Sequence, residues 1–340
     1  MKPFSWQHRP TIVLKILIAV ASLMVAYSSF RALGETKVSS PAVYSGMCDA
    51  SAAVALTGRL FAVASDEDSV IRIYSRDKAG PPVQTVNLSA FLDLDAKKPE
   101  SDLEGAARVG DRAYWITSHG RNRSGKLRVS RERFFATQIV TNGQGVELKM
   151  VGKPYEDLLS DLIRDPKLKP FRLAEASGRE PKAHGALNIE GLSGTPDGHL
   201  LIGFRNPIPD GKALLVPMLN PDQVIHGRPA KLGDPIIVDL GGLGIRDLAY
   251  WNGKYLIIAG PYDGKGQSYV YEWFGGTARP RRVKHAHLNN LNPEAIVFYP
   301  DKGWEQIQLL SDDGRRLLNG KPCKECDPGQ QRFRSVWLTP

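Results

Sequence analysis

One short pattern occurs five times along this chain. Each copy has an acidic residue, a run of small and apolar residues, a turn, a second apolar run and a polar cluster. The turns read TG, GD, PDG, NG and PDKG, which is tight-hairpin chemistry, and the flanking runs are too short and too β-rich for helices. Each copy is therefore predicted to form a β-hairpin; the copies are MCDASAAVALTGRLFAVASDED, SDLEGAARVGDRAYWITSHGRN, NIEGLSGTPDGHLLIGFRNP, IRDLAYWNGKYLIIAGPYDG and NPEAIVFYPDKGWEQIQLLSDDG.

Further strand-like segments follow the hairpins, so four strands recur in units of roughly 45 to 60 residues. Four-stranded antiparallel sheets repeated around an axis, each burying its faces on its neighbours, make a β-propeller. With 340 residues and 42% hydrophobic content, the chain can build such a core. We predict an all-β fold, a single β-propeller of about five four-stranded blades over residues 35–340, with a sixth blade between residues 140 and 185 as the alternative.

The last unit is short of an outer strand, because the chain ends soon after RFRSVWL. The segment KVSSPAVYSG, residues 37–46, is predicted to pair there and close the ring, which removes exposed strand edges. Cys48 would then lie near the last blade and could bond to Cys323 or Cys326. A Cys323–Cys326 bridge is an alternative, and the lack of a fourth cysteine disfavours structural zinc.

The first 34 residues have the pattern of an export signal, with Lys2, Arg9 and Lys15 before or around an apolar run and no acidic residue. Cleavage after this segment predicts a periplasmic or secreted protein. The alternative is an uncleaved inner-membrane anchor through residues 11–27. Removing its four cations reduces the net charge from +9 to +5, a modest excess that does not favour nucleic-acid binding.

The segment YEDLLSDLIRD, within a predicted helical insertion over about residues 153–185, has apolar residues at the spacing of one helical face. They are Tyr155, Leu158, Leu159, Leu162 and Ile163, with a proline before and after. An amphipathic helix is expected to cover the flank of a blade. A lid over the functional site is the alternative.

The hairpin geometry brings the acid of each copy close to the polar cluster that ends it, because the second strand runs back to the face where the first began. The first strand of a blade is innermost, so the acids should ring the mouth of the central channel. These acids are Asp49, Glu104, Glu190, Asp247 and Glu294. Around them we expect Asp66, Asp68, His119, Arg121, Arg205, Asn206, Asp263, Asp312 and Asp313.

A ring of carboxylates needs cations to offset its repulsion, and an oxygen-rich, thiolate-free set suits Ca²⁺. The predicted metal ligands are Glu104, Glu190, Glu294 and Asp312. The alternative is that each acid accepts backbone N–H hydrogen bonds and ties a loop. Other than Ca²⁺, no cofactor is indicated.

The other candidate residues divide into two roles. The predicted catalytic residues are His119, Glu104 and Glu190, with His119 as a general base or, alternatively, a hydrogen-bonding rim residue. The predicted ligand-binding residues are Arg121, Arg205, Asn206, Asp49, Asp247 and Asp263, where the arginines would grip a phosphate or carboxylate or pair with rim acids.

Taken together, MCDASAAVAL, SDLEGAARVGDRAYWITSHGRN, NIEGLSGTPDGHLLIGFRNP and the NPEAI to LLSDDG segment resemble a family of exported bacterial propellers defined as a domain of unknown function. The resemblance covers about residues 45 to 338. More distantly, the repeated EG(L/A) resembles the esterase-like propellers related to phytase. That second resemblance implies Ca²⁺ binding and phosphoester hydrolysis at an acidic channel mouth.

Three functions are compatible with these features. The first is an exported propeller that binds Ca²⁺ or a small or polymeric ligand at the acidic mouth. The second is a Ca²⁺-dependent phosphoesterase or esterase-like hydrolase, and the third is a protein-interaction scaffold, for which an apolar or aromatic patch would be the working surface. The oligomeric state has no signal in the sequence.

Overall fold

Each repeated copy forms the inner hairpin of one antiparallel sheet, and the five sheets are the blades of a β-propeller. The computed structural model describes residues 36–95, 100–143, 145–286, 288 and 290–340. Blades one to four each have four strands in sequence order, innermost first. Their bounds are β3 Ala52–Ala55, β4 Leu60–Ala64, β5 Val70–Ser75 and β6 Gln84–Asn87; β7 Leu103–Val109, β8 Arg112–Thr117, β9 Phe134–Asn142 and β10 Gly145–Tyr155; β11 Asn188–Gly194, β12 Leu200–Asn206, β13 Ala213–Met218 and β14 Ile236–Val238; β15 Gly244–Trp251, β16 Lys254–Gly260, β17 Tyr269–Trp273 and β18 Arg281–Arg282.

The fifth blade is completed by the start of the described chain. Its own strands are β19 Pro293–Val297, β20 Ile307–Ser311 and β23 Arg332–Thr339, with a small hairpin of β21 Leu317–Leu318 and β22 Lys321–Pro322 between them. Outside β23 lie β1 Lys37–Val38 and β2 Ala42–Ser45, both antiparallel to it. The predicted closing strand is confirmed.

Five hydrophobic cores fill the five spaces between neighbouring blades. The inner strands contact one another in cyclic order, and β19 returns to β3. Their close approach explains the small residues that follow the acids, since a Cβ on Gly105 would lie 2.9 Å from the carbonyl oxygen of Glu190 in the next blade. Ring closure therefore buries both faces of every blade.

The space between blades five and one is filled largely by aromatic side chains. Tyr44 of β2 stacks on Phe333 of β23 and meets Phe61 and Tyr74 of blade one edge-on, at ring distances of 5.2 to 5.4 Å. All four side chains are buried. The closing strand therefore contributes to the core as well as to the sheet.

A disulfide joins Cys48, at the entry to blade one, to Cys323 beside the small hairpin of blade five. Of the pairings that the sequence leaves open, this is the one present. Cys326 is a free, buried thiol whose Sγ lies 3.5 Å from the carbonyl oxygen of Pro322.

Helices follow β10, and the described part of the region from 140 to 185 contains no sixth blade. They are α1 Leu158–Arg164, a 3₁₀ segment Pro166–Phe171 and α2 Leu173–Ala176; a further short helix, α3 Pro221–Val224, lies between β13 and β14. Leu158 and Leu162 join the core between blades two and three, so the insertion covers their flank. Tyr155 is not on the helix as predicted: it ends β10, and its hydroxyl donates to Asp161 Oδ2 at 2.5 Å.

The predicted export segment, residues 1–34, lies outside the described residues. Within the described ranges, no helix is long and apolar enough to cross a membrane. Thr36 to Pro340 form one compact unit.

Candidate functional site

The two inner strands of blades two to five lose their pairing at one equivalent place. In blade two, Leu103 lies opposite Thr117 and Gly105 opposite Ile116, so Glu104 is an extra residue. The extra residues of the next three blades are Glu190, Arg246 and Glu294. Such a bulge re-aims one side chain without ending the strand. It is therefore the bulge residue that each of these blades presents at the channel mouth.

Asp247, which the repeat aligned with the other acids, lies outside the site. A shift of one residue along a strand moves the side chain to the other face, and the bulge position of blade four belongs to Arg246. The buried carboxylate of Asp247 accepts the backbone N–H groups of Leu248 at 2.8 Å and Ile296 at 2.7 Å. Burial raises its pKa well above the usual value. Asp247 is thus a tie between the inner strands of blades four and five.

A cavity of about 930 Å³ occupies the end of the ring where the inner strands begin. Among the described residues, eleven acidic and nine basic side chains line it, a formal difference of two negative charges. The predicted rim residues that line it are Asp49, Asp66, Glu104, Glu190, Arg205, Glu294, Asp312 and Asp313. The hairpin geometry therefore does bring acids and polar clusters from separate blades to one opening.

Five carboxylates on the side of blades one and two form what we call the acidic cluster: Asp49, Asp66, Glu67, Asp102 and Glu104. One oxygen from each of Asp66, Asp102 and Glu104 falls within 4.8 Å of the others, and the same holds for Asp49, Asp66 and Glu67. Asp66 belongs to both groups. These separations suit shared coordination of a cation by oxygen ligands.

The acidic cluster is only partly neutralised by protein cations. Arg131 lies 2.9 Å from Asp102, and Lys324 lies 2.6 Å from Glu67. Glu104 has no hydrogen-bond or ion-pair partner among the described residues. Ser51, the residue just before β3 of blade one, offers Asp66 a long 3.5 Å hydrogen bond.

Burial makes the charged form of these carboxylates costly. Burial, reinforced by neighbouring carboxylates, raises the pKa of Asp66 and of Glu104 well above the usual value. Burial and a hydrogen bond shared with Asp312 raise the pKa of Asp49 to about 10. For Asp102 burial outweighs the opposing charge of Arg131, and the pKa rises to about 6. A cation among them would reverse this preference, because opposite charge favours the ionised form.

Glu190 and Glu294, the bulge residues of blades three and five, are already paired with arginines. Glu190 Oε1 accepts from Arg205 and, at 2.8 Å, from Asn188 Nδ2, while its Oε2 lies 3.5 Å from Arg246 Nε. Arg246 also forms an ion pair with Glu294. These two acids are therefore not brought together with Glu104 in one metal-ligand group.

Asp312, the fourth predicted metal ligand, lines the cavity beside Asp49. Its carboxylate accepts from Asn292 Nδ2 at 2.9 Å and from the backbone N–H of Gly314 at 2.8 Å. These bonds, the hydrogen bond from Asp49 and the charge of Arg246 hold its pKa below the usual value despite burial. Asp312 therefore stays ionised while Asp49 keeps a proton.

Five other candidates lie outside the cavity lining. Asp68 forms an ion pair with Arg72 at 2.7 Å and accepts the N–H of Val70. His119 is buried, and its Nδ1 lies 2.8 Å from the carbonyl oxygen of Thr117. Arg121 Nε donates to the carbonyl of Ser177 on the insertion at 2.8 Å, and Asp263 accepts the N–H of Lys265 at 2.9 Å. Asn206 Nδ2 donates to the carbonyls of Pro181 and Ala183 at 3.1 and 2.8 Å. Each of these side chains holds a loop.

The predicted site omitted Asp102, Glu67 and Lys182. A signal for Asp102 exists, because in several copies an acid or amide stands two residues before the bulge: Asp102 before Glu104, Asn188 before Glu190 and Asn292 before Glu294. In blade one the same spacing places Asp49 before Ser51. Lys182 has no such signal, since it reaches the cavity only through the packing of the insertion.

The solved structures that align with this chain are only remotely similar to it in sequence. Glutaminyl cyclase of Myxococcus xanthus is 14% identical, with a TM-score of 0.46 over 89% of this chain and 96% of that one. A putative oxidoreductase (glucose dehydrogenase) of Thermus thermophilus is 14% identical, with a TM-score of 0.45 over 89% and 99%. The lectin of Aleuria aurantia is 12% identical, with a TM-score of 0.35 over 81% and 71%.

Among curated proteins, none matches this chain. A family model described as "Protein of unknown function (DUF3616)" matches residues 49–141 and 140–302. These ranges take in four of the five blades, the first strand of the fifth blade and the insertion. The chain therefore belongs to the DUF3616 family of proteins of unknown function.

Proposed function

We propose that this protein is an exported propeller that binds a divalent cation, for which Ca²⁺ is the best fit, and with it a small or polymeric ligand at the channel mouth. The observation that carries the proposal is the pair of three-carboxylate groups that share Asp66. Carboxylates without thiolate or imidazole ligands favour Ca²⁺ over zinc or copper.

The unpartnered carboxylate of Glu104 supports the same proposal. A half-buried carboxylate without a partner is costly, and each of its nearest acidic neighbours increases that cost. A cation held by Asp66, Asp102 and Glu104 would turn this repulsion into attraction. Asp49 and Glu67 would complete the oxygen ligands from the other side of Asp66.

The proposal is tested by titrating the purified protein with Ca²⁺, Mg²⁺ and Zn²⁺ and following heat release and melting temperature. We expect Ca²⁺ to bind and to raise the melting temperature. Asp66→Asn and Glu104→Gln should weaken Ca²⁺ binding at least tenfold, yet leave the cation-free protein as stable as the parent or more so, because each replaces a carboxyl group whose charged form is disfavoured by burial and acidic neighbours. The matched control is Asp197→Asn, an exposed acid in the hairpin turn of blade three, outside the cavity lining.

Two results would reject this function. One is the absence of Ca²⁺ binding at millimolar concentration. The other is equal Ca²⁺ affinity of Asp66→Asn, Glu104→Gln and the parent, which would leave the acidic cluster as a structural feature.

An esterase-like or phosphoesterase activity is the second candidate. The observation that favours it is that the acidic cluster and several basic side chains line the same cavity. Hydrolysis of generic phosphoester and carboxyester substrates, with Ca²⁺ and with a chelator, tests it. Cation-dependent turnover that Glu104→Gln abolishes supports the enzyme, and Ca²⁺ binding without turnover supports a binding protein. The scaffold alternative called for an apolar working surface, and a cavity lined by charged groups lends it no support.

A further inference from the structure

The end of the helical insertion contributes a cation to the cavity. Residues 180–182 follow α2 and line the mouth beside Arg205 of blade three. Arg205 Nη2 lies 3.3 Å and Lys182 Nζ 3.7 Å from the position that a Cβ on Gly264 would occupy. The two nitrogens are therefore within about 7 Å of each other, a span that the oxygens of one bound anion can bridge.

These donors are available to a ligand. Arg205 uses Nε on the carbonyl of Pro261 and Nη1 on Glu190, whereas its Nη2 has no hydrogen-bond partner in the described part of the chain. Lys182 and Arg315, which also lines the cavity, have no carboxylate partner among the described residues. Lys182 is half-buried, and burial together with the charges of Arg315 and Arg205 lowers its pKa. An anion would relieve that repulsion.

The position of Lys182 is held from blade three. Asn206 donates both of its amide hydrogens to the carbonyls of Pro181 and Ala183, the residues on either side of Lys182. The side chain of Asn206 is buried, and its Oδ1 has no partner in the described residues. Asn206 is thus a positioning residue that acts on the ligand only through Lys182.

We propose that Lys182, Arg205 and Arg315 form an anion-binding subsite that receives the phosphate group of a phosphate monoester. Two unpaired cations, with Arg205 as a hydrogen-bond donor, match a dianionic group better than a single carboxylate. The inference rests on the proposed function in that the ligand is the one bound beside the cation. It makes the insertion, which covers the flank of two blades, part of the ligand site.

Calorimetric titration of the Ca²⁺-loaded protein with phenyl phosphate, and with benzoate as a monoanionic comparison, tests the proposal. We expect phenyl phosphate to bind at least tenfold more tightly than benzoate. Lys182→Gln should lower the affinity for phenyl phosphate at least tenfold. Lys182→Arg should restore that affinity to within about threefold of the parent, because the charge returns. Lys169→Gln, an exposed lysine on the same insertion and outside the cavity lining, should change nothing.

Asn206→Ala should lower the affinity for phenyl phosphate without changing the affinity for Ca²⁺. A general structural defect would lower both affinities. Should that variant fail to fold, the lysine series decides alone. If Lys182→Gln and the parent bound phenyl phosphate equally well, the proposed subsite would be wrong. If the parent bound benzoate as tightly as phenyl phosphate, the proposed preference for a dianion would be wrong. Ca²⁺ titrations of the same samples separate the two proposals: Ca²⁺ binding without phenyl phosphate binding rejects only the subsite, and the reverse rejects only the cation site.

Discussion

The guanidinium of Arg246 in blade four forms an ion pair with the carboxylate of Glu294 in blade five. Both stand at the bulge position of their inner strands, where blades two and three have Glu104 and Glu190. One arginine among four equivalent positions divides the mouth into a neutralised side and an acidic side. The asymmetry of the site thus comes from Arg246 at one of the repeated positions together with Arg205, which pairs with Glu190.

The pairing of Arg246 predicts a large cost for its removal. Arg246→Met leaves the buried Glu294 without its ion-pair partner and should lower the free energy of unfolding by about 3–5 kcal/mol. Glu294→Gln should lower the free energy of unfolding clearly less in the Arg246→Met variant than in the parent. Denaturant unfolding of the two single variants and the double variant measures the coupling. Strictly additive losses would contradict an energetic link between the two residues.

Asp247 should act on stability alone. Asp247→Ala leaves two buried backbone N–H groups without their acceptor, at a cost of about 2–4 kcal/mol in the free energy of unfolding. Its Ca²⁺ affinity should stay within about twofold of the parent, a change of under 1 kcal/mol. Urea unfolding and calcium titration of the same preparation provide both values. A selective loss of Ca²⁺ binding in a stable Asp247→Ala protein would return Asp247 to the site.

The Cys48–Cys323 bond closes a loop across a sequence separation of 275 residues and joins the first and last blades. Replacing both cysteines by serine should lower the free energy of unfolding by about 2–5 kcal/mol, because the unfolded chain is no longer constrained. Thermal unfolding under non-reducing conditions measures it. Cys326→Ser is the control, expected to melt close to the parent; if it were the more damaging change, the free thiol would have a role beyond packing.

His119 should make stability depend on pH. Burial lowers its pKa to about 4 from an ordinary 6.5, so the folded state disfavours the protonated ring. Stability is therefore complete above pH 6.5 and falls as the pH drops towards 4, by up to about 3 kcal/mol from this residue. His119→Asn, a residue that tolerates the left-handed φ of +53°, should flatten this dependence. Parallel pH profiles of unfolding for the parent and His119→Asn would refute the role.

The blade repeat was predictable from the sequence because its signals are local. Turn residues mark each hairpin, apolar runs of strand length flank them, and a missing outer strand in the last copy identifies residues 37–46 as the closing strand. The insertion was recognisable by its helical spacing, although Tyr155 lies one element earlier than predicted, because the last strand of blade two continues to that residue.

The site was predictable only in part, for reasons that differ between residues. Glu104 and Asp49 follow from hairpin geometry and reach the cavity. Asp247 was misplaced because one bulge residue reverses which side chain faces the channel, and a bulge leaves no clear mark in the sequence. His119 and Arg121 follow a strand end as expected, but their hydrogen bonds turn them into the protein.

The sequence by itself determined five hairpins, their cyclic order and the return of the N-terminal strand, since periodicity and turn chemistry act over a few residues. Only the tertiary structure decided which carboxylates are paired, which remain close together without a cation, and that Lys182 joins Arg205 across a long insertion. Those outcomes depend on strand register and on packing between distant segments, where a shift of a single residue or one side-chain contact changes the partner.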